Sequence, residues 1–367
     1  MKRLGIAIIL SIFSLTAAGQ NLLITNATVH TGFDEAVIKS ADILIRNGTI
    51  VTIDDSITVN GQTPILDAAG RHVTGALFAG ATVSGISEVE AVREAVDSEY
   101  NALFTDIMHP EFDVRTAFNP HSSVIPITRI EGFSYSLLSA TRGDRSITGR
   151  GGLVRFDGGY DSFEGKTVVF VEVSGHAART VGGSRAVHWM LLQQAFSERQ
   201  RNAELDLLTP IGQKTLQDVS RNGIFVFSAN RASDIMQVLA FAAQHAIDVV
   251  IHGGREAWLV ADALAQTDTP VMLNALDNLP SDFDSLGARL DNAALLHQAG
   301  VSIMFSSGET HNARKVRQLA GSAVANGLPL EAAIAALTTT PAQVFSGRPR
   351  GIKKGSLGDL VIWSGDP

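Results

Sequence analysis

Three stretches of the chain gather side chains that can do chemistry. His109-Pro110-Glu111-Phe112-Asp113 places an imidazole and two carboxylates within one short run, the donor types of a divalent-metal site. Its proline and irregular surroundings read instead as a surface loop. His176 and His188 flank Gly182-Gly183-Ser184-Arg185, a glycine-rich stretch able to cradle an anion, although glycine pairs of this kind usually mark turns. Arg142, Arg145 and Arg150 lie near Gly149, Gly151 and Gly152, where they can hold a substrate carboxylate or simply form a solvated loop. Other chemistries drop out. The 367 residues include no cysteine, so thiolate ligands, disulfides and a cysteine nucleophile are excluded together. No Gly-x-Ser-x-Gly elbow or Ser-x-x-Lys motif offers a serine mechanism.

Charge excludes another class. With 29 Lys and Arg against 37 Asp and Glu, the net charge is -8, the wrong sign for a partner recognised through its phosphates. No basic stretch offsets this, so no nucleic-acid partner is expected. Hydrophobic residues at 45% are enough for one large or two modest cores, which excludes general disorder. Lys2 and Arg3 precede the apolar run Leu4 to Leu15, followed by Ala17, Ala18 and Gly19, the pattern of a secretory signal peptide over 1–19. About 12 apolar residues fall short of the roughly 20 that span a bilayer. The expectation is therefore an exported protein, periplasmic or secreted, and not an integral membrane protein.

The elements that must position any site begin after Asn21. Short β-rich runs, Leu22 to Val29, Asp42 to Ile45 and Thr49 to Ile53, surround an Asn47-Gly48 pair that predicts a hairpin. Farther on, apolar runs at Ile224 to Phe227, Val249 to Ile251, Val271 to Leu273 and Val301 to Phe305 start about 22 to 30 residues apart and alternate with helical periodicity. Ser233 to Ala246 is one such helix, with Ser233 as its N-cap, and Glu256 to Gln266 is another. Repeated units of this length build a parallel sheet, open or closed into a barrel. Residues 110 to 165 are the least regular and are expected as long loops over the barrel with some helix. Helices over Ala313 to Asn326 and Leu330 to Thr338 follow, and Gly355 to Trp363 returns to strand texture.

These pieces resemble the amidohydrolase superfamily, and within it the imidazolonepropionase-like and N-acyl-amino-acid or dipeptide-hydrolysing branch. The resemblance is carried by Leu23 to Val29, Ile43 to Ile53, Ile65 to Gly75, Asn230 to Ile235, Val250-Ile251-His252-Gly253, Leu337 to Ala342 and Gly355 to Pro367. It implies a (β/α)8 TIM-like barrel over 73–345, with a small β-sandwich formed from both chain ends, 20–72 and 346–367, the latter shorter than in the family. A short sandwich leaves a sheet edge open to pairing with another subunit. Asn119-Pro120-His121 leads into Ile125 to Arg129, which resembles the segment feeding the next barrel strand, so that His121 can either reach the mouth or serve as a cap or loop residue. The family's metals sit at the barrel mouth, lower the pKa of water and polarise a carbonyl.

The ligand positions implied by the resemblance are mostly empty of donors. The first-strand pair falls on Ala81 and Val83, the next histidine on Ser228 and the final aspartate on Gly308, while His252 alone is retained. Replacement ligands are available in Glu309 and His311, giving with His252 a two-histidine, one-carboxylate set that zinc would suit. In that reading His252 and Glu309 are catalytic, and Ser228, Asn230, Arg255 and Arg314 bind a small amide or peptide substrate whose C–N bond is hydrolysed. In the other reading no metal is bound, and the chain is a binding or partner subunit, in a homo-oligomer or beside an active homologue.

Overall fold

The computed structural model describes residues 21–33, 37–89, 91–100, 108–140, 146–199, 207–277, 279–308 and 312–367. The expected signal peptide, Arg142, Arg145, Glu309 and His311 lie outside the described residues.

Alternation of apolar and polar residues after Asn21 builds a six-stranded sheet from β1 (Leu22–His30), β2 (Val37–Arg46), β3 (Thr49–Asp54), β4 (Ile65–Asp67), β5 (His72–Gly75) and a strand from the chain's other end. Asn47 and Gly48 have φ of 50° and 73° and turn β2 into β3, as their types predict. Ile24, Val29, Ile43, Ile45, Ile50 and Val73 form this sheet's own core, with Ile352 reaching it from near the C-terminus.

The second sheet has eight strands: β6 (Leu77–Thr82), β7 (Phe133–Leu138), β8 (Ile147–Arg155), β9 (Phe163–Glu172), β10 (Ile224–Ala229), β11 (Val249–Gly253), β12 (Val271–Leu273) and β13 (Ile303–Phe305). They pair in chain order. From β9 to β13 every pairing is parallel, which the repeated apolar runs predict for β10 to β13. The first and last strands meet through Ser306, whose Oγ accepts from the N–H of Ala81 at 3.1 Å and donates to its carbonyl at 3.3 Å. The sheet is thus nearly closed on itself. Phe78, Tyr135, Phe225, Phe227 and Phe305 are fully buried in the large core around it.

Helix α1 (Val124–Ile130) precedes β7, and α2 (Gly175–Gly182), α3 (Arg185–Glu198) and α4 (Pro210–Asn222) lie between β9 and β10. Then α5 (Ala232–His245), α6 (Ala261–Gln266) and α7 (Asn292–Gln298) separate the next strands; α8 (Val316–Ala325), α9 (Leu330–Leu337) and α10 (Thr339–Phe345) follow β13. Finally β14 (Leu360–Ile362) pairs antiparallel with β5, so both chain ends supply the six-stranded sheet. Among the described residues no helix is long and apolar enough to cross a membrane.

Two sequence expectations are corrected. Residues 110 to 165 contribute two sheet strands and the start of a third rather than loops over the barrel, and β8 runs antiparallel to both neighbours. Its glycines hid it. A Cβ at Gly151 would come within 2.0 Å of the Leu138 carbonyl oxygen, so crowding by β7 excludes the branched residues that usually signal a strand. Ser233 does not cap α5, whose N-cap is Arg231; the Ala232 N–H is instead satisfied by Glu256 Oε2 at 3.0 Å.

Candidate active site

Parallel strands bring their C-terminal ends to one rim, and there β9, β10 and β11 set Glu172, Ser228 and His252 side by side. Ser228 pairs in register with Glu172 on one side and His252 on the other. Its Oγ lies 3.5 Å from Nδ1 of His252. Burial pushes the His252 imidazole down to about 4, with Asp277 opposing, so the ring is a neutral base at neutral pH. Burial likewise raises the Glu172 carboxyl above its ordinary range, against hydrogen bonds from Ser174 and Ser228 that favour the charged form. The Ser174 N–H donates to Glu172 Oε1 at 3.2 Å.

Other expected residues have varied fates. Arg255 donates from Nε and Nη2 to one oxygen of Asp277, at 3.2 and 3.0 Å, and from Nη1 to Ser281 at 2.8 Å, so its donors face partners within the protein. Asn230 lines a cleft beside Glu172, with its amide oxygen buried, without a hydrogen-bond partner among the described residues and close against Gly253. Arg314 lies exposed in the turn before α8, and it is not among the residues lining that cleft. Ala81 and Val83 are buried, Ser306 ties β13 to β6, and Gly308 is exposed with φ 68°.

A catalytic zinc takes three protein ligands and leaves one position open. Among the described residues no three His, Cys, Asp or Glu side chains converge, and the rim offers one carboxylate and one imidazole separated by a serine. The described residues alone therefore do not fit a metal. Glu309 and His311, which would complete the set, lie outside them.

The cleft, of about 870 Å³, is lined by Glu172, Ser174, His176, Arg179, Arg185 and Asn230, together with Asp282, Phe283 and Asp284 from the segment after β12. The glycine-rich stretch acts as a turn: Gly183, at φ 85°, closes α2 and Ser184 caps α3. An anion is held nearby nonetheless, because Arg185 donates to Asp234 at 2.9 Å and to Asp284. His188 is buried against Ser146 at 2.5 Å, and desolvation, with Arg185 adding to it, pushes the ring down to about 4.

The remaining sequence candidates are structural. His109, expected on a surface loop, is buried; its Nδ1 lies 3.4 Å from Glu111, which accepts from Thr209 at the start of α4. Asp113 pairs with Arg115 and Arg150, so Arg150 belongs to a strand rather than a solvated loop. His121 packs edge-on against Tyr160, in the turn leading into β9 and so opposite the Glu172 end. Glu172 itself was missed, although the apolar run Val168 to Val171 ending in an acidic residue just before Ser174-Gly175 was a usable signal.

No family model and no curated protein matches the chain. Solved structures do. An amidohydrolase from Thermotoga maritima MSB8 aligns with a TM-score of 0.81 at 20% identity over 94% of each chain. A Xaa-Pro dipeptidase with bound methionine in its active site aligns at 0.52 and 14% identity over 95% of each chain. A prolidase complexed with N-methylphosphonate-L-proline aligns at 0.53 and 14% identity, over 95% of this chain and 93% of its own. The likeness spans both sheets and runs through proteins of one kind, and on it the chain has the amidohydrolase fold.

Proposed function

We propose that the chain is an exported member of the amidohydrolase superfamily that hydrolyses the C–N bond of a small amide, N-acyl amino acid or dipeptide at the rim of β9 to β11. In this reading the eight-stranded sheet is a variant (β/α)8 barrel, the six-stranded sheet stands for the family's β-sandwich, and 1–19 is removed on export to the periplasm or beyond. The observation that carries it is His252, held neutral at the C-terminal end of β11, the state in which an imidazole serves as ligand or base. That two of the structural relatives are a prolidase and a Xaa-Pro dipeptidase supports the substrate class.

Glu309 and His311 are proposed to complete a reduced metal site with His252. A divalent metal there, zinc by donor type, would supply an acidified water and a polarised carbonyl. The chain's own groups do the rest: Ser228 steadies the His252 ring through Nδ1, and Glu172, displaced toward its protonated form, is placed to give a proton to a departing amine. A second reading, a metal-free binding or partner subunit, is supported by Ala81, Val83 and Gly308, whose side chains carry no donor atom where the resemblance puts ligands.

Elemental analysis of the purified protein before and after zinc loading, beside His252→Ala, separates the two. Near-stoichiometric metal lost in the variant, with turnover of N-acyl amino acids or dipeptides, is the expected result. Absence of metal and of turnover in both proteins sinks the hydrolase reading and leaves the binding one.

A further inference from the structure

Arg185 opens α3 at the edge of the cleft, and its guanidinium is gripped from two directions. Nε donates to Oδ2 of Asp234 at 2.9 Å, a carboxylate buried in the first turn of α5. Nη2 donates to Oδ1 of Asp284. The other oxygen of Asp284 accepts from the Gly175 N–H at 2.6 Å. Both oxygens of Asp284 are therefore engaged, one by a guanidinium and one by a backbone amide, the arrangement that recognises carboxylates generally. A side chain at Gly175 would spoil it, since a Cβ there would lie 2.9 Å from Asp284 Oδ2 and 3.0 Å from Arg185 Nη2.

The two carboxylates on Arg185 differ in kind. Asp234 is part of a helix packed into the core. Asp284 hangs on the irregular segment between β12 and α7, which leaves Leu276, Leu279, Phe283 and Leu286 exposed. Phe283, one residue before Asp284, is 86% exposed and lines the same cleft. Of these exposed side chains Phe283 stands at the polar cleft itself, where a ligand's apolar group would meet it. Arg179, exposed on α2, adds a second guanidinium to the cleft wall.

We propose that the Arg185–Gly175 cradle is a binding site for the carboxylate of a small ligand that also carries an apolar group, and that Asp284 is its internal occupant, displaced when the ligand enters. Asp234 fixes the guanidinium in place for whichever carboxylate is present, and Phe283 covers the ligand's apolar part. An N-acyl amino acid with an aliphatic side chain has both features. The amide in that ligand rests on the hydrolase reading above; its carboxylate and apolar group do not. A tethered competitor scales apparent affinity down to the fraction of molecules in which it has let go, so removing its charge raises affinity without any new contact.

The test is calorimetric titration of N-acetyl-L-leucine into the wild type, Asp284→Asn and Arg185→Lys, with N-acetyl-L-leucinamide as the carboxylate-free control and melting temperatures to show that each variant folds. Asp284→Asn is expected to bind the acid about tenfold tighter than wild type, and Arg185→Lys about tenfold weaker, with the amide binding far below the acid. Equal or weaker binding by Asp284→Asn overturns the proposal. So does equal binding of acid and amide, or no binding of the acid by any folded protein. Turnover is followed separately: binding without hydrolysis removes the hydrolase reading and leaves this site, whereas hydrolysis indifferent to masking the carboxylate does the reverse.

Discussion

The rim of the eight-stranded sheet has two halves that have gone opposite ways. Where β6 meets β13, Ala81 and Val83 are packed into the core and Ser306 spends its hydroxyl tying the two strands together. Where β9, β10 and β11 end, Glu172, Ser228 and His252 stay partly open to solvent beside a large cleft, with burial displacing both titratable groups from their ordinary ranges. One half has been turned into structure; the other keeps groups whose placement costs stability and so points to use. The candidate site therefore occupies one part of the rim and not the whole of it.

The sealed half breaks most readily at Gly80. Its φ is 81°, and a Cβ there would come within 2.7 Å of the Ser306 Cα, so Gly80→Val meets both backbone strain and a clash with the opposite strand. Strain and overpacking together are expected to cost about 3 to 5 kcal/mol in urea unfolding. A loss below about 1 kcal/mol would mean that β6 and β13 are not held as described.

On the open half the lever is pH. Free imidazoles titrate near 6.5, whereas folded His252 and His188 are both pushed down to about 4. Between those values the unfolded chain binds more protons than the folded one. The stability these rings contribute is thus complete above about pH 6.5 and drains away as pH falls toward 4. Full expression of such a shift is worth about 3 kcal/mol per ring, and the partly exposed His252 is expected to contribute less than the buried His188. Unfolding free energies of wild type, His188→Gln and His252→Gln across this window should show the slope diminishing in each variant, more for His188→Gln. An unchanged slope in both assigns the protons elsewhere.

How much of this was legible depended on how local the cause was. The Asn47-Gly48 hairpin and the parallel order of β10 to β13 follow from neighbouring residues, and both are visible in the sequence. Strand β8 was not legible there, since Gly151 is required by a carbonyl on Leu138, a backbone atom with no sequence signature. The Arg185–Asp284 contact spans 99 positions, and nothing in either local sequence announces the other. The cap of α5 failed for the same reason: Glu256 comes from beyond the next strand to do what Ser233 was expected to do.

The smallest effect sharpens the comparison furthest. Ser228 touches both working groups of the open half, and Ser228→Ala removes one hydroxyl of 3.5 Å reach to His252, worth under about 1 kcal/mol in stability. Its other consequence is electrostatic. The Ser228 hydroxyl favours the ionised form of Glu172, so without it the carboxyl, already raised by burial, should titrate at still higher pH. Carbon-detected NMR titration of the Glu172 side chain in wild type and Ser228→Ala reads this directly. An upward displacement with little change in unfolding free energy is expected if the three side chains act as one coupled line. A Glu172 titration that ignores Ser228 would reduce the open half to separate polar residues, and the contrast with the sealed half would then be one of exposure alone.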